Sequence, residues 1–290
     1  MKVAIYGQFY HKDCGLYIEQ LLDILHINDI EVAIEEKFLV IINENLSSTY
    51  DLETFTSLDE SYDLFFSIGG DGTILRSVNY VRNLEIPIVG INTGRLGFLS
   101  TIKKETLTHS IISILQGECY FSERTLIEVN TSTGECFSGL NFALNEVTVS
   151  RKDTTSMISV DTKVDEEFLA TYWADGLIVS TPTGSTGYSL SCGGPIIMPG
   201  TSSFLITPIA PHNLNVRPLL LPDKSTISLQ VNGREEECLI ALDSRSYVFP
   251  NNTQIFIKRA DFRIKLVLLN ETTFFKTLRE KMFWGEDRRN

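Results

Sequence analysis

The sequence has few of the features that mark secreted, membrane-bound or nucleic-acid-binding proteins. Its five cysteines are scattered over 290 residues without a Cys-x-x-Cys pair, so we expect reduced, mostly structural thiols. No apolar run reaches the roughly 18 residues of a membrane span, and the first residues lack the apolar core of a signal peptide. The net charge of -12 disfavours nucleic acid and anionic lipid as partners. These absences predict a cytoplasmic protein with no nucleic-acid or membrane partner.

Several motifs that mark catalytic or cofactor sites are missing as well. The four histidines show no metal-ligand spacing, so no metal ligand is predicted from the sequence. There is no G-x-x-x-x-G-K-[ST] phosphate loop and no G-x-G-x-x-G dinucleotide fingerprint. The nucleophile elbow G-x-S-x-G is absent too. If the chain binds a nucleotide, its binding site therefore uses sequence motifs other than these.

The first hundred residues alternate between buried strands and amphipathic helices. Residues 2–7 (KVAIYG) and 63–68 (DLFFSI) are short apolar runs, typical of strands that are covered on both faces. Apolar residues at helical spacing follow each run, over 18–25 and 74–81. This alternation predicts an α/β domain with a parallel sheet over residues 1–100.

Residues 101–270 have a different character. After a helical stretch, many short strand-like runs are separated by turn signals, for example MISVDTKV, TISLQVN and TQIFIKR. Their spacing predicts a mostly antiparallel β domain. The last stretch, residues 271–285, has a helical apolar face of Phe274, Leu278 and Met282, and we expect this closing helix to pack on the first domain.

One carboxylate stands between glycines directly after a predicted strand, in the segment Gly69-Gly70-Asp71-Gly72-Thr73. A strand-to-helix turn points backbone N–H groups at an anion, and glycines let a phosphate approach closely because they lack a Cβ. Asp71 suits such a site only if it binds a metal or takes a proton from an attacking hydroxyl. The alternative is an ordinary turn in which Asp71 caps the next helix.

A second glycine-rich segment favours the phosphate site. Residues 173–200 read WADGLIVSTPTGSTGYSLSCGGPIIMPG, where a strand leads into small hydroxyl residues among glycines. Hydroxyl groups without bulk suit a polar ligand rich in ribose and phosphate oxygens. The alternative, a Ser/Thr-rich surface loop, fits less well because apolar residues lie close on both sides.

With both segments in view, the sequence resembles the NAD kinase family. The matching motifs are, in order, GGDGT at 69–73, NTGRLGFL at 92–99, NE at 145–146, ADGLIVSTPTGSTGYSLSCGGPI at 174–196 and PIAPHNLNVRPLLLP at 208–222. The terminal FFKTLREKMFW also resembles the closing helix of the family. GGDG alone is shared with diacylglycerol and sphingosine kinases and is similar in phosphofructokinases. Its combination with NE and TPTGSTGYSLS is a much stronger signature.

The resemblance implies an enzyme that transfers a phosphoryl group from ATP to the 2′-hydroxyl of the adenosine ribose of NAD, giving NADP. It implies a divalent metal cation as cofactor, with Mg²⁺ expected. It also implies a phosphofructokinase-like α/β domain followed by a β-rich NAD-binding domain, with NAD bound between them. Homodimers or homotetramers are usual in the family.

Individual roles follow from the resemblance, position by position. Asp71 would be the proton acceptor for the 2′-hydroxyl. The glycine turn would cradle phosphate through Gly69, Gly70, Gly72 and Thr73. The residues expected to bind NAD are Asp71, Gly72, Arg76, Asn145, Glu146, Asp175, Thr186, Gly187, Tyr188, Ser189, Leu190 and Ser191.

Two positions depart from the pattern of the family. Trp173 stands where many members have arginine, and Gly187 stands where alanine is usual. Both are expected to tune the dinucleotide pocket, and Trp173 offers a ring for stacking. Asp243 lies where the family often has an Asp-Gly or Asp-Ser pair.

Two alternative functions stay open at this point. The first is another GGDG-type kinase that acts on a lipid or sugar, and the acidic charge of the chain disfavours the lipid substrate. The second is a nucleotide-binding regulator without activity. Such a regulator has no need for a carboxylate beside phosphate, so Asp71 argues against it.

Overall fold

A computed structural model describes residues 1–8, 14–45, 50–94, 97–134, 137–152 and 157–285 of the chain. Arg95 and Leu96 of the NTGRLGFL motif lie outside the described residues. The chain divides into two compact units, unit 1 with Met1–Glu123 and Ile264–Asn290, and unit 2 with Arg124–Arg263. In the described part of the chain, no helix is long and apolar enough to cross a membrane.

The elements are numbered in chain order. The first ten are β1 (Lys2–Gly7), α1 (Cys14–Ile27), β2 (Glu31–Glu35), α2 (Glu36–Asn45), β3 (Glu53–Phe55), β4 (Leu64–Ile68), α3 (Asp71–Val81), β5 (Ile88–Asn92), β6 (Ile102–Lys103) and α4 (Leu107–Leu115). They are followed by β7 (Cys119–Thr131), β8 (Phe142–Ala143), β9 (Glu146–Arg151), β10 (Ile158–Val164), β11 (Glu167–Ala174), β12 (Gly176–Ser180) and α5 (Tyr188–Ser191). The last are β13 (Ser203–Ile209), β14 (Leu219–Pro222), β15 (Ile227–Gly233), β16 (Glu237–Leu242), β17 (Arg245–Pro250), β18 (Gln254–Leu269) and α6 (Phe274–Met282).

Unit 1 is built on a parallel sheet with the strand order β5-β4-β1-β2-β3. Val3 of β1 pairs with Val32 of β2 on one side and with Leu64 of β4 on the other. Every residue of β4 and β5 is buried, which explains their unbroken apolar sequence because both faces of the sheet are covered. The core packs α1, α2 and α4 against strand residues such as Ile5 and Phe66.

The end of the chain belongs to unit 1. Leu266, near the end of β18, pairs in parallel with Ile88 of β5. The helix α6 follows, with Thr277 and Leu278 buried. Thr273 caps this helix, because its side chain accepts the backbone N–H of Lys276 at 3.2 Å.

Unit 2 consists of antiparallel strands. One sheet has the order β14-β13-β12-β9-β16-β17. In the other set, β11, β10 and β15 pair in turn, and β15 pairs with the first residues of β18. Aliphatic side chains of both sets, among them Val149, Leu177, Ile240, Val160 and Leu229, form one core. Their alternation with more exposed residues along β10, β15 and β16 is the period-2 pattern of strands with one buried face.

The predicted fold class is confirmed: a parallel α/β region comes first, a mostly antiparallel β region follows, and a helix closes the chain. The predicted domain limits, 1–100 and 101–270 with a closing helix at 271–285, stay a prediction. In the structure, residues 101–123 belong to unit 1.

Candidate active site

Asp71 is the first residue of α3, directly after the glycine turn that follows β4. The N-cap is Gly70, and no side chain of the described residues caps this helix end, so the helix-cap interpretation of Asp71 is wrong. Thr73 and Ile74 donate their backbone N–H groups to the Gly70 carbonyl, at 3.0 and 3.4 Å. The first N–H groups of a helix have no intrahelical acceptor and can bind an anion.

The loop that follows β5 holds the Asp71 carboxylate. Its Oδ2 accepts the backbone N–H of Phe98 at 2.8 Å, and its Oδ1 accepts those of Leu99 and Ser100, both at 3.0 Å. Ser100 Oγ donates to the Gly69 carbonyl at 3.0 Å. Two motifs that are separate in the sequence, GGDGT and NTGRLGFL, are therefore bonded to each other at this carboxylate.

Two glycines make the arrangement sterically possible. A Cβ on Gly97 would collide with the Asp71 carboxylate, and a Cβ on Gly69 would collide with a side chain of α3. Gly69 also has a φ of +149°, which residues with a Cβ avoid. Gly70 and Gly72 have open space at the same position, so a ligand can approach their backbone N–H groups.

The other predicted residues of unit 1 lie along α3. Thr73 is buried, whereas Arg76 is exposed on the next turn. Burial raises the pKa of the Tyr6 phenol, and the nearby Arg76 charge acts in the opposite direction.

Asp243 of unit 2 organises the NE motif. It lies in the turn between β16 and β17 with a φ of +51°, a conformation that aspartate tolerates better than most residues. Its carboxylate accepts the backbone N–H groups of Leu144 at 2.9 Å, Asn145 at 2.8 Å and Glu146 at 3.2 Å. Desolvation raises the pKa of Asp243, and the three N–H donors and Arg245 oppose that rise. The backbone of the motif is thereby fixed at the start of β9.

The side chains of Asn145 and Glu146 lie against the segment that enters α5. A Cβ on Gly187 would come 3.0 Å from Glu146 Oε2 and 3.4 Å from Asn145 Nδ2, and the Tyr188 backbone N–H acts to lower the pKa of the Glu146 carboxyl. Burial, reinforced by Asp243, raises the pKa of Glu146 to about 8, which favours the protonated carboxyl near neutral pH. Within the described residues, Asn145 Oδ1 and Glu146 Oε2 are buried without a hydrogen-bond partner. Buried polar atoms of this kind are available to a ligand or a water molecule.

Asp175 lies in the same neighbourhood. Its Oδ2 is 3.0 Å from Nη2 of Arg151 in an ion pair, and its carbonyl accepts the Arg151 backbone N–H at 3.1 Å. Burial raises the pKa of the Tyr188 phenol, and Cys192 and Asp175 add to the rise. Tyr188 therefore interacts electrostatically with both carboxyl groups: its backbone N–H acts on the pKa of Glu146, and Asp175 acts on the pKa of its phenol.

The predicted segment 186–191 is divided between exposed and buried positions. Tyr188 and Ser191 are exposed, Thr186, Gly187 and Leu190 are half-buried, and Ser189 is buried. Ser189 Oγ lies 2.7 Å from Thr207 Oγ1, with which it shares a hydrogen bond. The Ser189 hydroxyl therefore bonds the protein interior, and the other members of the segment are the ones that a ligand can reach.

Two family models match the chain. The ATP-NAD kinase N-terminal domain matches residues 20–119, and the ATP-NAD kinase C-terminal domain matches residues 144–269. An NAD kinase from Christiangramia forsetii is 55% identical over 296 residues, which cover 100% of each chain. The chain belongs to the NAD kinase family. Its reaction is the ATP-dependent phosphorylation of NAD.

Solved structures of the NAD kinase family share the fold. The crystal structure of yeast NADH kinase complexed with NADH has a TM-score of 0.86 at 23% identity, and the match covers 99% of this chain and 88% of that one. An NAD kinase from Archaeoglobus fulgidus in complex with ATP has a TM-score of 0.74 at 25% identity, and the match covers 98% of this chain and 99% of that one.

The residues that support Asp71 were not found from the family motifs. Gly97 lies inside NTGRLGFL, and its close approach to the carboxylate could have been suspected from the glycine alone. Lys281 left no such signal. Its Nζ lies 3.6 Å from Asp71 Oδ2, but a lysine near the end of a helix usually only complements the helix dipole.

Proposed function

We propose that Asp71 is the proton acceptor for the 2′-hydroxyl of the adenosine ribose of NAD. The supporting observation is that the hydrogen bonds of the Asp71 carboxylate leave one lone-pair direction free to accept a further hydrogen bond. A carboxylate offers about four such directions, and three backbone N–H groups use two at Oδ1 and one at Oδ2. Oδ2 keeps one direction for the proton of an incoming hydroxyl. A secondary hydroxyl is a weak nucleophile until a base shares its proton.

The turn before α3 is proposed to cradle the phosphates of ATP. The N–H groups and the dipole at the start of a helix favour an anion, and the open space at Gly70 and Gly72 allows close approach. Gly69 and Thr73 shape this turn, and Arg76 supplies a positive charge one turn further on. The ATP complex of the Archaeoglobus enzyme supports ATP as the donor.

NAD is proposed to bind the residues gathered around Tyr188. The unpartnered Asn145 Oδ1 accepts a hydrogen bond from a ribose hydroxyl, and the protonated Glu146 can both donate and accept. Asp175 contacts the nucleotide. The adenosine pocket is lined by Thr186, Gly187, Tyr188, Leu190 and Ser191, with Ser189 holding the segment in place through its buried hydrogen bond. Asp71, Gly72 and Arg76 are proposed to bind NAD as well. In this proposal residues 1–100 are the nucleotide-binding domain and residues 101–270 are the β-rich NAD-binding domain.

A divalent metal cation, with Mg²⁺ expected, is the proposed cofactor. Among the described residues, no group of three or more His, Cys, Asp or Glu side chains is placed to hold a metal ion. These residues therefore do not form a protein cage for the cation. Because Mg²⁺ commonly binds substrate phosphates and water with few protein ligands, we assign it to the phosphates of ATP.

The proposed setting is a homodimer or homotetramer in the cytoplasm, without nucleic-acid or membrane partners. The resemblance to the family supports the oligomer, and the net charge of -12 supports the absence of polyanionic partners. Light scattering on the purified protein would measure the subunit number.

The proposed chemistry is tested with a substrate that lacks one group. The protein is incubated with ATP, Mg²⁺ and either NAD or an NAD analogue without the 2′-hydroxyl on the adenosine ribose. We expect NADP from NAD and no phosphorylated product from the analogue. The analogue should still compete with NAD, because it keeps the other contacts. Phosphorylation of the analogue, or no NADP from NAD, would overturn the proposal, and diacylglycerol serves as the control for lipid kinase activity.

A further inference from the structure

We propose that Lys281 is a positioning residue for Asp71 and acts through its charge at Oδ2. The inference rests on the proposed role of Asp71 as proton acceptor. It concerns a residue of the closing helix α6, and all the contacts that carry it lie within unit 1.

The helix α6 is anchored at several points. Thr273 caps its first turn, and Leu278 is buried. Glu280 Oε2 lies 2.8 Å from Lys103 Nζ in an ion pair. At the start of the helix, the Phe274 ring packs on Phe98 with 6.1 Å between the centroids. These contacts determine where the last turn of the helix lies, so Lys281 extends from a defined backbone position.

Two groups meet at Asp71 Oδ2. The Phe98 backbone N–H donates to it at 2.8 Å, and Lys281 Nζ lies 3.6 Å from it. The same ammonium lies 4.7 Å from the centroid of the Phe98 ring, a distance at which the ring face attracts a cation. Phe98 therefore holds Oδ2 with its backbone and holds the cation with its side chain.

The length of the ion pair decides what Lys281 can do. A charged N–H to carboxylate hydrogen bond is about 2.7–2.9 Å long, and the observed 3.6 Å is clearly longer. The ammonium therefore attracts Oδ2 without the short contact of a charged hydrogen bond. The two side chains are 35% and 29% exposed, so water screens their attraction only in part. The cation thereby holds the charged carboxylate in one orientation without a short hydrogen bond to it.

The competing explanation is that Lys281 only complements the helix dipole. Two basic residues, Arg279 and Lys281, lie in the last turn of α6, where cations are generally favourable. Arg279 is exposed and provides the matched control, since its loss removes the same charge from the same turn.

The test measures kcat and the KM for NAD in Lys281→Met, Lys281→Arg and Arg279→Met, with melting temperatures for all. We expect Lys281→Met to lower kcat about tenfold, within the range found for coupled neighbouring residues, with the KM changed less than about twofold. Lys281→Arg should restore most of the rate because it keeps the cation. Arg279→Met should remain within about twofold of the wild type. Equal losses in the two methionine variants, or no loss in Lys281→Met, would overturn the inference.

A double-mutant cycle with Asp71→Asn tests whether Lys281 acts through the carboxylate. We expect Lys281→Met to cause no further loss of kcat in the Asp71→Asn protein, because the charge that it positions is gone. The same tenfold loss in both backgrounds contradicts a positioning role. The cycle also separates the two proposals. Wild-type kcat in Asp71→Asn would contradict the proton-acceptor proposal. A low kcat in Asp71→Asn together with wild-type kcat in Lys281→Met would contradict only the positioning role of Lys281.

Discussion

Asp71 of unit 1 and Asp243 of unit 2 bind backbone N–H groups in the same pattern. In each, Oδ2 accepts the first of three consecutive N–H groups and Oδ1 accepts the next two. Their neighbours differ. Lys281 lies 3.6 Å from Asp71, whereas a second carboxyl group, Glu146, lies beside Asp243 and has its pKa raised to about 8.

The comparison shows that the hydrogen-bond pattern of a carboxylate does not by itself identify its role. Three N–H donors leave a single acceptor direction in both cases. At Asp71 the Lys281 ammonium lies 3.6 Å from the carboxylate, which stands beside an open glycine turn. At Asp243 the charge shifts the proton equilibrium of Glu146 and holds the backbone of the NE motif. Under the proposal for Asp71, two carboxylates with the same backbone contacts serve a reacting role in one unit and a supporting role in the other.

The largest expected effect is that of Asp71→Asn on turnover. The amide cannot accept the proton, and general-base catalysis contributes about 100- to 10,000-fold, so kcat should fall by that order. Asparagine has one acceptor oxygen for three N–H donors, so we also expect some loss of stability. NADP formation, NAD binding by calorimetry and the melting temperature are measured on the same protein.

A second Asp→Asn variant in the same unit is the matched control for the loss of turnover expected in Asp71→Asn. Asp63 is exposed and accepts the Lys2 backbone N–H at 2.7 Å, so Asp63→Asn makes the same chemical change away from the glycine turn. It should leave kcat unchanged. A folded, NAD-binding Asp71→Asn enzyme with wild-type kcat would exclude the proton-acceptor role.

The counterpart substitution, Asp243→Ala, should affect stability more than the chemical step. It removes the acceptor of three N–H groups, and leaving such groups unsatisfied costs about 1–3 kcal/mol or more. Urea unfolding should show a loss of about 3 kcal/mol, and the KM for NAD should rise because Asn145 and Glu146 lose their fixed backbone. Asp165→Ala is the control, since Asp165 is exposed and accepts one N–H, from Thr226. A variant as stable as this control would contradict the supporting role.

Glu146→Gln should change how stability depends on pH. The folded-state pKa of Glu146 is about 8, against 4.5 for an ordinary glutamate. Between these values the folded protein keeps a proton that the unfolded chain has lost, so the free energy of unfolding falls as pH rises through this window and levels off above it. Glutamine cannot titrate and should remove this contribution, which is on the order of 2 kcal/mol after relaxation of the site.

The measurement for Glu146→Gln is urea unfolding of both proteins at a pH near 5 and a pH near 9. The wild type should lose more stability than the variant between the two conditions. NAD binding near neutral pH should be largely kept, since glutamine resembles a protonated glutamate in shape and in its ability to donate. Parallel pH dependences would show that Glu146 is ionised in the folded protein.

The smallest expected effect is that of Gly187→Ala. Its Cβ would come 3.0 Å from Glu146 Oε2 and 3.4 Å from Asn145 Nδ2, so these side chains have to move by a few tenths of an ångström. We expect the KM for NAD to rise about threefold or less, with kcat and the melting temperature nearly unchanged, since volume changes at a partly open site are cheap compared with those in a core. A rise of more than tenfold would show that this glycine is essential to the pocket.

Much of the fold followed from the sequence because its signals are local. The apolar run of residues 63–68 predicted a buried parallel strand, and β4 lies there with every residue buried. Helical spacing after the glycines predicted α3. The helix-cap interpretation of Asp71 was wrong because Gly70 occupies the N-cap, which leaves the aspartate side chain free to bond the loop after β5.

Within the candidate site, the sequence identified residue types better than their orientations. The hydroxyl-rich segment 186–191 was predicted to line the adenosine pocket, which stays a prediction, and in the structure Ser189 bonds Thr207 inside the protein. In so short a helix, a run of small polar residues has no hydrophobic periodicity from which buried and exposed positions could be predicted. Exposure at each position depends on the strands packed beneath it.

The sequence by itself determined the alternation of elements, the glycine turn and the presence of one carboxylate within it, because strand and helix periodicity and the need for a missing Cβ are properties of neighbouring residues. Only the tertiary structure decided which groups surround that carboxylate. The N–H groups of residues 98–100 and the Lys281 ammonium reach Asp71 from other elements. Hydrogen bonds and Coulomb attraction depend on distance in space, and packing alone brings such distant parts of a chain within a few ångströms of one another.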